Sequence, residues 1–175
     1  MTGAAGSGSG DRPDILYLDY DGVLHPEDVW RHPKRGIHFG SAGAGHKLFE
    51  HAGLLDEVLR PYPQVRVVLS TSWVRVLSFS QAKLWLPQAL RQRVIGATFH
   101  TAMDAALFMS MPRGAQVASD VGRRRPREWL ALDDDGECWP QSCRNRLVLT
   151  DPVAGISESS VMTLLMSALE RRFRR

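Results

Sequence analysis

The sequence has few cysteines, few lysines and no long apolar run. Its two cysteines, Cys138 and Cys143, cannot build a disulfide-rich secreted scaffold. No histidine flanks the pair, and its spacing is unlike that of a zinc knuckle. No apolar stretch approaches the ~20 residues of a membrane span, and residues 1–10 lack the basic start and apolar core of a signal peptide. We therefore expect a cytoplasmic protein that makes no membrane contact.

The composition is that of an ordinary globular protein. The chain has 175 residues, of which 43% are hydrophobic and 23% charged, so a single domain with a substantial core is expected. The net charge of +3 and the pI of about 9.2 are too mildly basic for a dedicated nucleic-acid binder. Residues 1–12, which are rich in Gly, Ala and Ser, are predicted to be a disordered lead-in, and residues 13–175 to form the domain.

The chain is organised around one stretch near its start. An apolar run, residues 15–18, ends in two carboxylates, Asp19 and Asp21, and Gly22 follows. Such a run is typical of a strand buried on both faces of a parallel sheet. Open α/β sheets bind ligands at the carboxyl ends of their strands. Two aspartates this close are tolerable if a cation lies between them or if one holds a proton.

Strands alternate with helices along the rest of the chain, which predicts a parallel α/β sheet. We expect a loop with one short hairpin over residues 22–44, a solvated basic connector at 123–127, and a last helix with Ser157 as its N-cap. The predicted strands are 14–19, 65–69, 94–98, 129–132 and 147–150, and the earlier predicted helices are 45–60, 74–77, 81–92 and 112–122.

Two more of these strands end in polar clusters. Ser70 and Thr71 follow the second strand, and Asp133, Asp134 and Asp135 follow the fourth. By the strand-end rule, these side chains and the first aspartates converge on one site. Carboxylates and hydroxyls without a histidine or cysteine ligand set favour a hard cation such as Mg²⁺, which commonly bridges carboxylates to a substrate phosphate. In such a site one carboxylate can act as a nucleophile, and another can exchange a proton with the leaving oxygen.

Three of these segments resemble motifs of the haloacid dehalogenase (HAD) superfamily of phosphohydrolases. Residues 16–24 are similar to its first motif, residues 67–70 to its second and residues 130–134 to its acidic fourth motif, in the same order and at the same strand ends. More narrowly, residues 70–73, 93–98 and 131–135 resemble the small HAD domains of bacterial and phage RNA-repair proteins. The resemblance implies a Rossmann-like three-layer α/β sandwich, with a mainly parallel five-stranded sheet and a minimal cap or none.

The resemblance also implies roles for the aspartates. Asp19 would be the nucleophile that attacks phosphorus. Asp21 would be the general acid for the leaving alcohol and then the base for the hydrolytic water. Mg²⁺ would be held by Asp19, by the backbone carbonyl of Asp21, and by Asp133 and Asp134.

Phosphate binding in the family uses a hydroxyl and a cationic side chain. Ser70 would bind a phosphoryl oxygen, with Thr71 as the alternative. The family usually has a lysine or arginine at the start of the helix before the acidic strand, and no lysine lies in this half of the chain. Arg113 opens the predicted helix there and is favoured. The alternative, the run 123–127, leaves too little chain for a helical crossover before Asp133.

Other polar residues near the predicted site are interpreted more simply. Asp135 is expected in an acidic loop, and Asp151 is expected to be a turn residue near the site. His25 follows Asp21 closely in a loop and is expected to be solvated, with substrate contact as the alternative. Trp73 is expected in the core rather than as a stacking platform.

The predicted site is open, because the segments that could hold a cap, 22–44 and 99–112, are too short for a folded module. Within the resemblance, an open site suits a phosphorylated substrate that is large, such as a nucleic-acid end. We expect an Mg²⁺-dependent phosphomonoesterase that forms an aspartyl-phosphate. The alternative is a module that binds Mg²⁺ and a phosphorylated or polyanionic partner without turnover, but the presence of both Asp19 and Asp21 favours the enzyme.

Overall fold

Strand β1, Asp14–Leu18, lies at the centre of a parallel five-stranded sheet. The computed structural model describes residues 12–41 and 43–174, so the predicted disordered lead-in lies outside the described residues except for Arg12. The other strands are β2 Val29–His32, β3 Gly36–Phe39, β4 Val65–Leu69, β5 Val94–Ala97, β6 Glu128–Asp133 and β7 Leu147–Leu149. The helices are α1 Ala52–Leu59, α2 Trp73–Leu77, α3 Phe79–Leu84, α4 Gln88–Arg93, α5 Ala105–Ser110, α6 Arg113–Arg124, the 3₁₀ helix Gln141–Arg146 and α7 Ser159–Phe173.

The strand order is β5-β4-β1-β6-β7, and all four pairings are parallel. The predicted α/β class with a five-stranded parallel sheet is therefore confirmed. The register places Leu18 opposite Leu69 on one side and opposite Leu132 on the other. The residues that come next, which include Asp19, consequently lie side by side at the carboxyl edge of the sheet.

Both faces of the sheet are covered by helices, which gives three layers. Leu16 and Leu18 of β1 point into the larger core cluster, which includes buried residues of α1, α3, α4 and α7. Ile15 and Tyr17 point the other way and pack with residues such as Val117 of α6. All five side chains of β1 are buried, as expected for a strand that is covered on both faces.

The predicted hairpin is present as the antiparallel pair β2–β3. The prediction for the next helix was wrong at its start, because α1 begins at Ala52 rather than near residue 45. Phe49 has a left-handed backbone with φ of 61°, which a continuous α-helix does not allow. That conformation accompanies a hydrogen bond from the Phe49 N–H to His25 Nδ1, at 3.2 Å. A tertiary contact therefore replaces the first turns of the predicted helix.

Only part of the basic run at 123–127 is the solvated connector that was predicted: Arg125 is exposed between α6 and β6, but three of its arginines form ion pairs. Arg123 and Arg124 form the last turn of α6, and both pair with the buried carboxylate of Asp120, which also accepts a hydrogen bond from Tyr17. Arg127 pairs with the buried Asp14. Burial of a carboxylate is costly unless it is paired. These arginines therefore stabilise the fold through ion pairs with buried aspartates.

The last helix is capped by a different residue from the one predicted. The Glu158 carboxylate accepts a hydrogen bond from the Val161 N–H at 2.9 Å and is the N-cap of α7. Ser157 instead donates its hydroxyl to the Ala154 carbonyl. Within the described residues, no helix is both long and apolar enough to cross a bilayer.

Candidate functional site

Three aspartates meet at the carboxyl edge of the sheet. Asp19 follows β1, Asp133 ends β6, and Asp134 comes next. One carboxylate oxygen from each lies within 4.8 Å of the others. Asp19 and Asp133 are buried, and Asp134 is half-buried. The structure thus brings together three of the residues that the sequence predicts at this edge.

Burial raises the pKa of each carboxyl group in this cluster. The pKa of Asp133 rises to about 9 and that of Asp134 to about 7, with burial as the main cause and the nearby Asp19 carboxylate as the second. Burial also raises the pKa of Asp19, and Arg113 opposes that rise. Three anions are therefore unfavourable here without a cation. Because every donor in the cluster is an oxygen, the set suits Mg²⁺.

Arg113 connects the cluster to the neighbouring strand. It is the first residue of α6, and its Nη2 donates to Asp19 Oδ2 at 3.1 Å, while Nη1 donates to the backbone carbonyl of Ser70. Its Nε lies 3.3 Å from Asp133 Oδ2. That contact lacks hydrogen-bond geometry, and Asp133 Oδ2 has no hydrogen-bond donor within the described residues. Arg113, not the run 123–127, is the arginine that reaches the aspartates.

Two hydroxyls lie beside the nucleophile candidate. Ser70 is buried next to Asp19, and its Oγ has no hydrogen-bond partner in the part of the chain that the structure describes. A buried hydroxyl is costly without a partner, so this oxygen is available to a ligand. The Thr71 hydroxyl accepts the Trp73 N–H and lies close enough to the Asp19 carboxylate to oppose the rise of its pKa. Ser70 is therefore the freer of the two predicted phosphate ligands.

Asp21 stands apart from the other carboxylates. Its side chain is 27% exposed and does not belong to the acidic cluster. The indole N–H of Trp73 is shared between both oxygens of this carboxylate, Oδ1 at 2.9 Å and Oδ2 at 3.1 Å. His25 Nε2 lies 3.1 Å from Oδ1. Trp73 is buried, as predicted, and its N–H also binds this carboxylate.

The prediction that His25 is solvated was wrong. The residue is completely buried and is bound at both ring nitrogens, to Asp21 and to the backbone of Phe49. The sequence offered a weak signal for the first contact, the spacing of four residues from Asp21. It offered none for the second, because the donor is a backbone N–H far along the chain.

Gly22 and Thr150 shape the turn after the first aspartates. Gly22 has φ of +66°, and a Cβ at this position would lie 2.2 Å from Asp134 Oδ2. The Thr150 hydroxyl, at the end of β7, donates to the Gly22 carbonyl at 2.6 Å. Sequence reasoning did not identify Thr150, although its position after a strand was a usable signal. The turn thus holds the loop against the acidic cluster.

Asp135 and Asp151 lie outside the acidic cluster. Asp135 is exposed, and its backbone N–H donates to Asp133 Oδ1 at 3.1 Å. The Asp151 carboxylate accepts the N–H groups of Val153 and Ala154 in a turn. Both placements agree with the loop and turn interpretations made from the sequence.

A family model described as "HAD domain in Swiss Army Knife RNA repair proteins" matches residues 15–161. The chain belongs to this family. Comparisons with curated proteins and with solved structures gave no match. The matched residues include β1 from Ile15 onward, the hairpin, Arg113 and the whole acidic cluster. Membership identifies the domain as a HAD-type, phosphohydrolase-like module.

Proposed function

We propose that this HAD domain is an Mg²⁺-dependent phosphomonoesterase that acts through an aspartyl-phosphate on Asp19. The observation that carries the proposal is the different surroundings of two aspartates that are two residues apart. Asp19 lies in the acidic cluster against Arg113, where a phosphoryl group and a cation would meet. Asp21 is held outside that cluster by N–H donors, as suits a residue that exchanges protons.

The proposed reaction assigns a role to each of these residues. An Asp19 oxygen forms the bond to phosphorus as the ester P–O bond breaks, and Asp21 gives its proton to the departing alcohol oxygen. Asp21 then takes a proton from the water that hydrolyses the acyl-phosphate. Arg113 and the free Ser70 hydroxyl offset the charge on the phosphoryl oxygens.

The acidic cluster fits the metal that the family implies. Asp19, Asp133, Asp134 and the backbone carbonyl of Asp21 would hold Mg²⁺. When bound, Mg²⁺ would offset the carboxylate charge and that of the phosphoryl oxygens. The raised pKa values of Asp133 and Asp134 support this fit, because a cation would offset both the burial and the repulsion from Asp19 that raise them.

The test is hydrolysis of 4-nitrophenyl phosphate in Mg²⁺ and in EDTA, together with acid trapping of a phosphorylated protein. We expect turnover in Mg²⁺ only, and we expect the trapped phosphoryl group to be on Asp19. Binding of Mg²⁺ and of phosphate by calorimetry without turnover of any phosphate ester, phosphorylated oligonucleotides included, would favour the non-enzymatic module instead.

Mg²⁺ is expected to raise the melting temperature of the wild-type protein. At about 100 times Kd, a ligand adds about 2.7 kcal/mol, which for a chain of this size is about 5 to 10 °C. Asp133→Asn should abolish this shift, because it removes one buried ligand and keeps the side-chain shape. Differential scanning calorimetry in Mg²⁺ and in EDTA measures the shift in melting temperature for the wild type and for the variant. Asp151→Asn, at the same edge but outside the cluster, is the control and should keep the shift. An unchanged shift in Asp133→Asn would remove that residue from the metal site.

We further propose that the substrate is the phosphorylated end of a nucleic acid. The family is described by its occurrence in RNA repair proteins. The tip of the hairpin, residues 31–35, contains four basic residues and is exposed. Within residues 12–41 and 43–174, Arg31, Lys34 and Arg35 form no ion pair with a carboxylate. A groove of about 470 Å³ between the hairpin and α3 is lined by Arg31, His32 and the partly exposed Trp85. Cationic and aromatic groups together suit a single strand.

The hairpin is connected to the site through α2. Arg31 donates to the carbonyl of Val76 at 3.3 Å, and α2 begins with Trp73, which binds Asp21. The His25 ring, which also binds Asp21, lies 5.8 Å from the ring of Phe39 in β3. We therefore expect a single-stranded nucleic acid bound along the hairpin to have its phosphorylated end close to the aspartates.

Reversal of the charge at the hairpin tip is expected to affect only large substrates. The double variant Lys34→Glu, Arg35→Glu should lower kcat/KM for a 5′-phosphorylated or 3′-phosphorylated oligonucleotide about tenfold at low salt. The slope of log kcat/KM against log salt concentration should also become less negative by about 1.4. Hydrolysis of 4-nitrophenyl phosphate should not change. The control is Arg171→Glu, Arg174→Glu at the end of α7. This end lies at the opposite edge of the sheet, since Gln64, just before β4, donates to the Phe173 carbonyl. Equal losses of kcat/KM for the oligonucleotide in the two double variants would contradict binding of the nucleic acid at the hairpin.

A further inference from the structure

The two carboxylate oxygens of Asp21 have different surroundings. Oδ1 receives the Trp73 indole N–H at 2.9 Å and faces His25 Nε2 at 3.1 Å. Oδ2 accepts the same indole N–H at 3.1 Å and has no other donor among the described residues. Oδ1 thus faces two N–H groups, whereas Oδ2 accepts only the shared indole N–H.

The hydrogen on His25 can be assigned from its second contact. The Phe49 backbone N–H donates to His25 Nδ1 at 3.2 Å, so Nδ1 must present a lone pair. A neutral imidazole that accepts at Nδ1 carries its hydrogen on Nε2. His25 therefore donates to Asp21 Oδ1. An imidazolium has hydrogens on both nitrogens and could not accept the Phe49 N–H.

Packing holds both donors in one orientation. The His25 ring is completely buried, and its centroid lies 4.9 Å from that of Phe49 and 5.8 Å from those of Phe39 and Trp73. The Trp73 ring is buried and packs edge-on against Tyr20 at 5.7 Å. A rotation of either ring would break the contact with Asp21 and several ring contacts at once.

We infer that His25 and Trp73 are positioning residues that reserve Asp21 Oδ2 as the oxygen that carries the catalytic proton. This inference rests on the proposed phosphatase function. Because His25 and Trp73 both bind Oδ1 and only the shared indole N–H binds Oδ2, Oδ2 keeps a free lone pair for the proton of the Asp21 acid. As the ester P–O bond breaks, its electron pair moves to the alcohol oxygen, which takes the Oδ2 proton. The charge that develops on the carboxylate is stabilised at Oδ1 by the two N–H donors.

The test compares two esters of nearly the same shape, phenyl phosphate and 4-nitrophenyl phosphate. The phenol is a poor leaving group that needs a proton, whereas 4-nitrophenolate leaves without one. The parameter is kcat/KM in Mg²⁺, because it covers only the steps up to departure of the alcohol and excludes the later hydrolysis of phospho-Asp19.

Three variants separate positioning from support of the fold. His25→Asn keeps an acceptor for the Phe49 N–H but has no atom that reaches Asp21. His25→Gln restores an N–H near the position of Nε2. Trp73→Phe keeps an aromatic ring and removes the indole N–H. Melting temperatures measured for each variant show which of them remain folded under the assay conditions.

We expect His25→Asn and Trp73→Phe to lower kcat/KM about 10- to 100-fold for phenyl phosphate and less than about threefold for 4-nitrophenyl phosphate. His25→Gln should recover most of the loss. Equal losses on the two esters in the folded variants, or no loss in either, would overturn the positioning role while the phosphatase function stands. A wild-type protein that hydrolyses neither these esters nor phosphorylated oligonucleotides would overturn the proposed function, and this inference with it.

Discussion

Replacement of Asp19 by asparagine is expected to reduce the hydrolysis of 4-nitrophenyl phosphate at least about 10⁴-fold. An amide oxygen is a poor nucleophile, so the bond to phosphorus cannot form. The fold should be kept, because asparagine has nearly the same shape and its side-chain oxygen can still accept the Tyr20 N–H, which lies 2.7 Å from Asp19 Oδ1. The change removes the Arg113 contact with Asp19 but also one of three crowded anions, so the metal-free variant should melt close to the wild type.

The measurement is kcat in Mg²⁺, together with acid-trapped phosphoprotein and the melting temperature in EDTA. Asp151→Asn is the matched control, because this aspartate lies at the same edge of the sheet and asparagine can maintain its turn. The control should retain wild-type kcat. Native activity or a trapped phosphoprotein in Asp19→Asn would show that another residue attacks phosphorus.

The strand ends were predictable because the hydrophobic pattern and the strand-end rule both depend on local sequence. In a chain whose strands alternate with helices, an apolar run followed by polar residues marks the carboxyl end of a parallel strand. The register that aligns Leu18 with Leu69 and with Leu132 then brings Asp19, Ser70 and Asp133 together without further information. The sequence pattern predicted the helix that Arg113 begins, and the family resemblance favoured Arg113 as the cation of the site.

The contacts that hold Asp21 in position could not be predicted from the local sequence pattern. His25 is bound by a backbone N–H 24 residues away, and Trp73 reaches Asp21 over 52 residues. Such contacts depend on how loops fold over the sheet. The same dependence explains why the helix predicted from residue 45 begins at Ala52, since Phe49 departs from helical backbone geometry as it contacts His25.

The basic run at 123–127 illustrates a second limit of prediction from the local sequence. Its composition is typical of a solvated connector, but Arg123 and Arg124 share a helical face with Asp120. The spacing of three and four residues was visible in the sequence. The burial of Asp120 beneath Tyr17 was not, because it depends on the packing of α6 against β1.

Arg113→Met is expected to lower kcat/KM for 4-nitrophenyl phosphate about 10²- to 10³-fold. The guanidinium is the cation that contacts Asp19 and Asp133, and a bound phosphoryl group would lie against it. Arg113→Lys should recover only part of the loss. A single ammonium cannot reproduce the three contacts that one planar guanidinium makes with Asp19, Asp133 and the Ser70 carbonyl. Arg123→Met, on the same helix but outside the site, is the control and should leave kcat/KM unchanged.

The metal dependence of Arg113→Met distinguishes a phosphate-binding role from support of the metal site. Loss of the positive charge leaves the three aspartates more negative, so the apparent Mg²⁺ affinity, measured by calorimetry without substrate, should rise. If Arg113 mainly holds Asp19 and Asp133 in position for the metal, the affinity should fall instead. A fall in Mg²⁺ affinity together with an unchanged KM for the phosphate ester would therefore contradict the assignment of Arg113 to the phosphoryl oxygens.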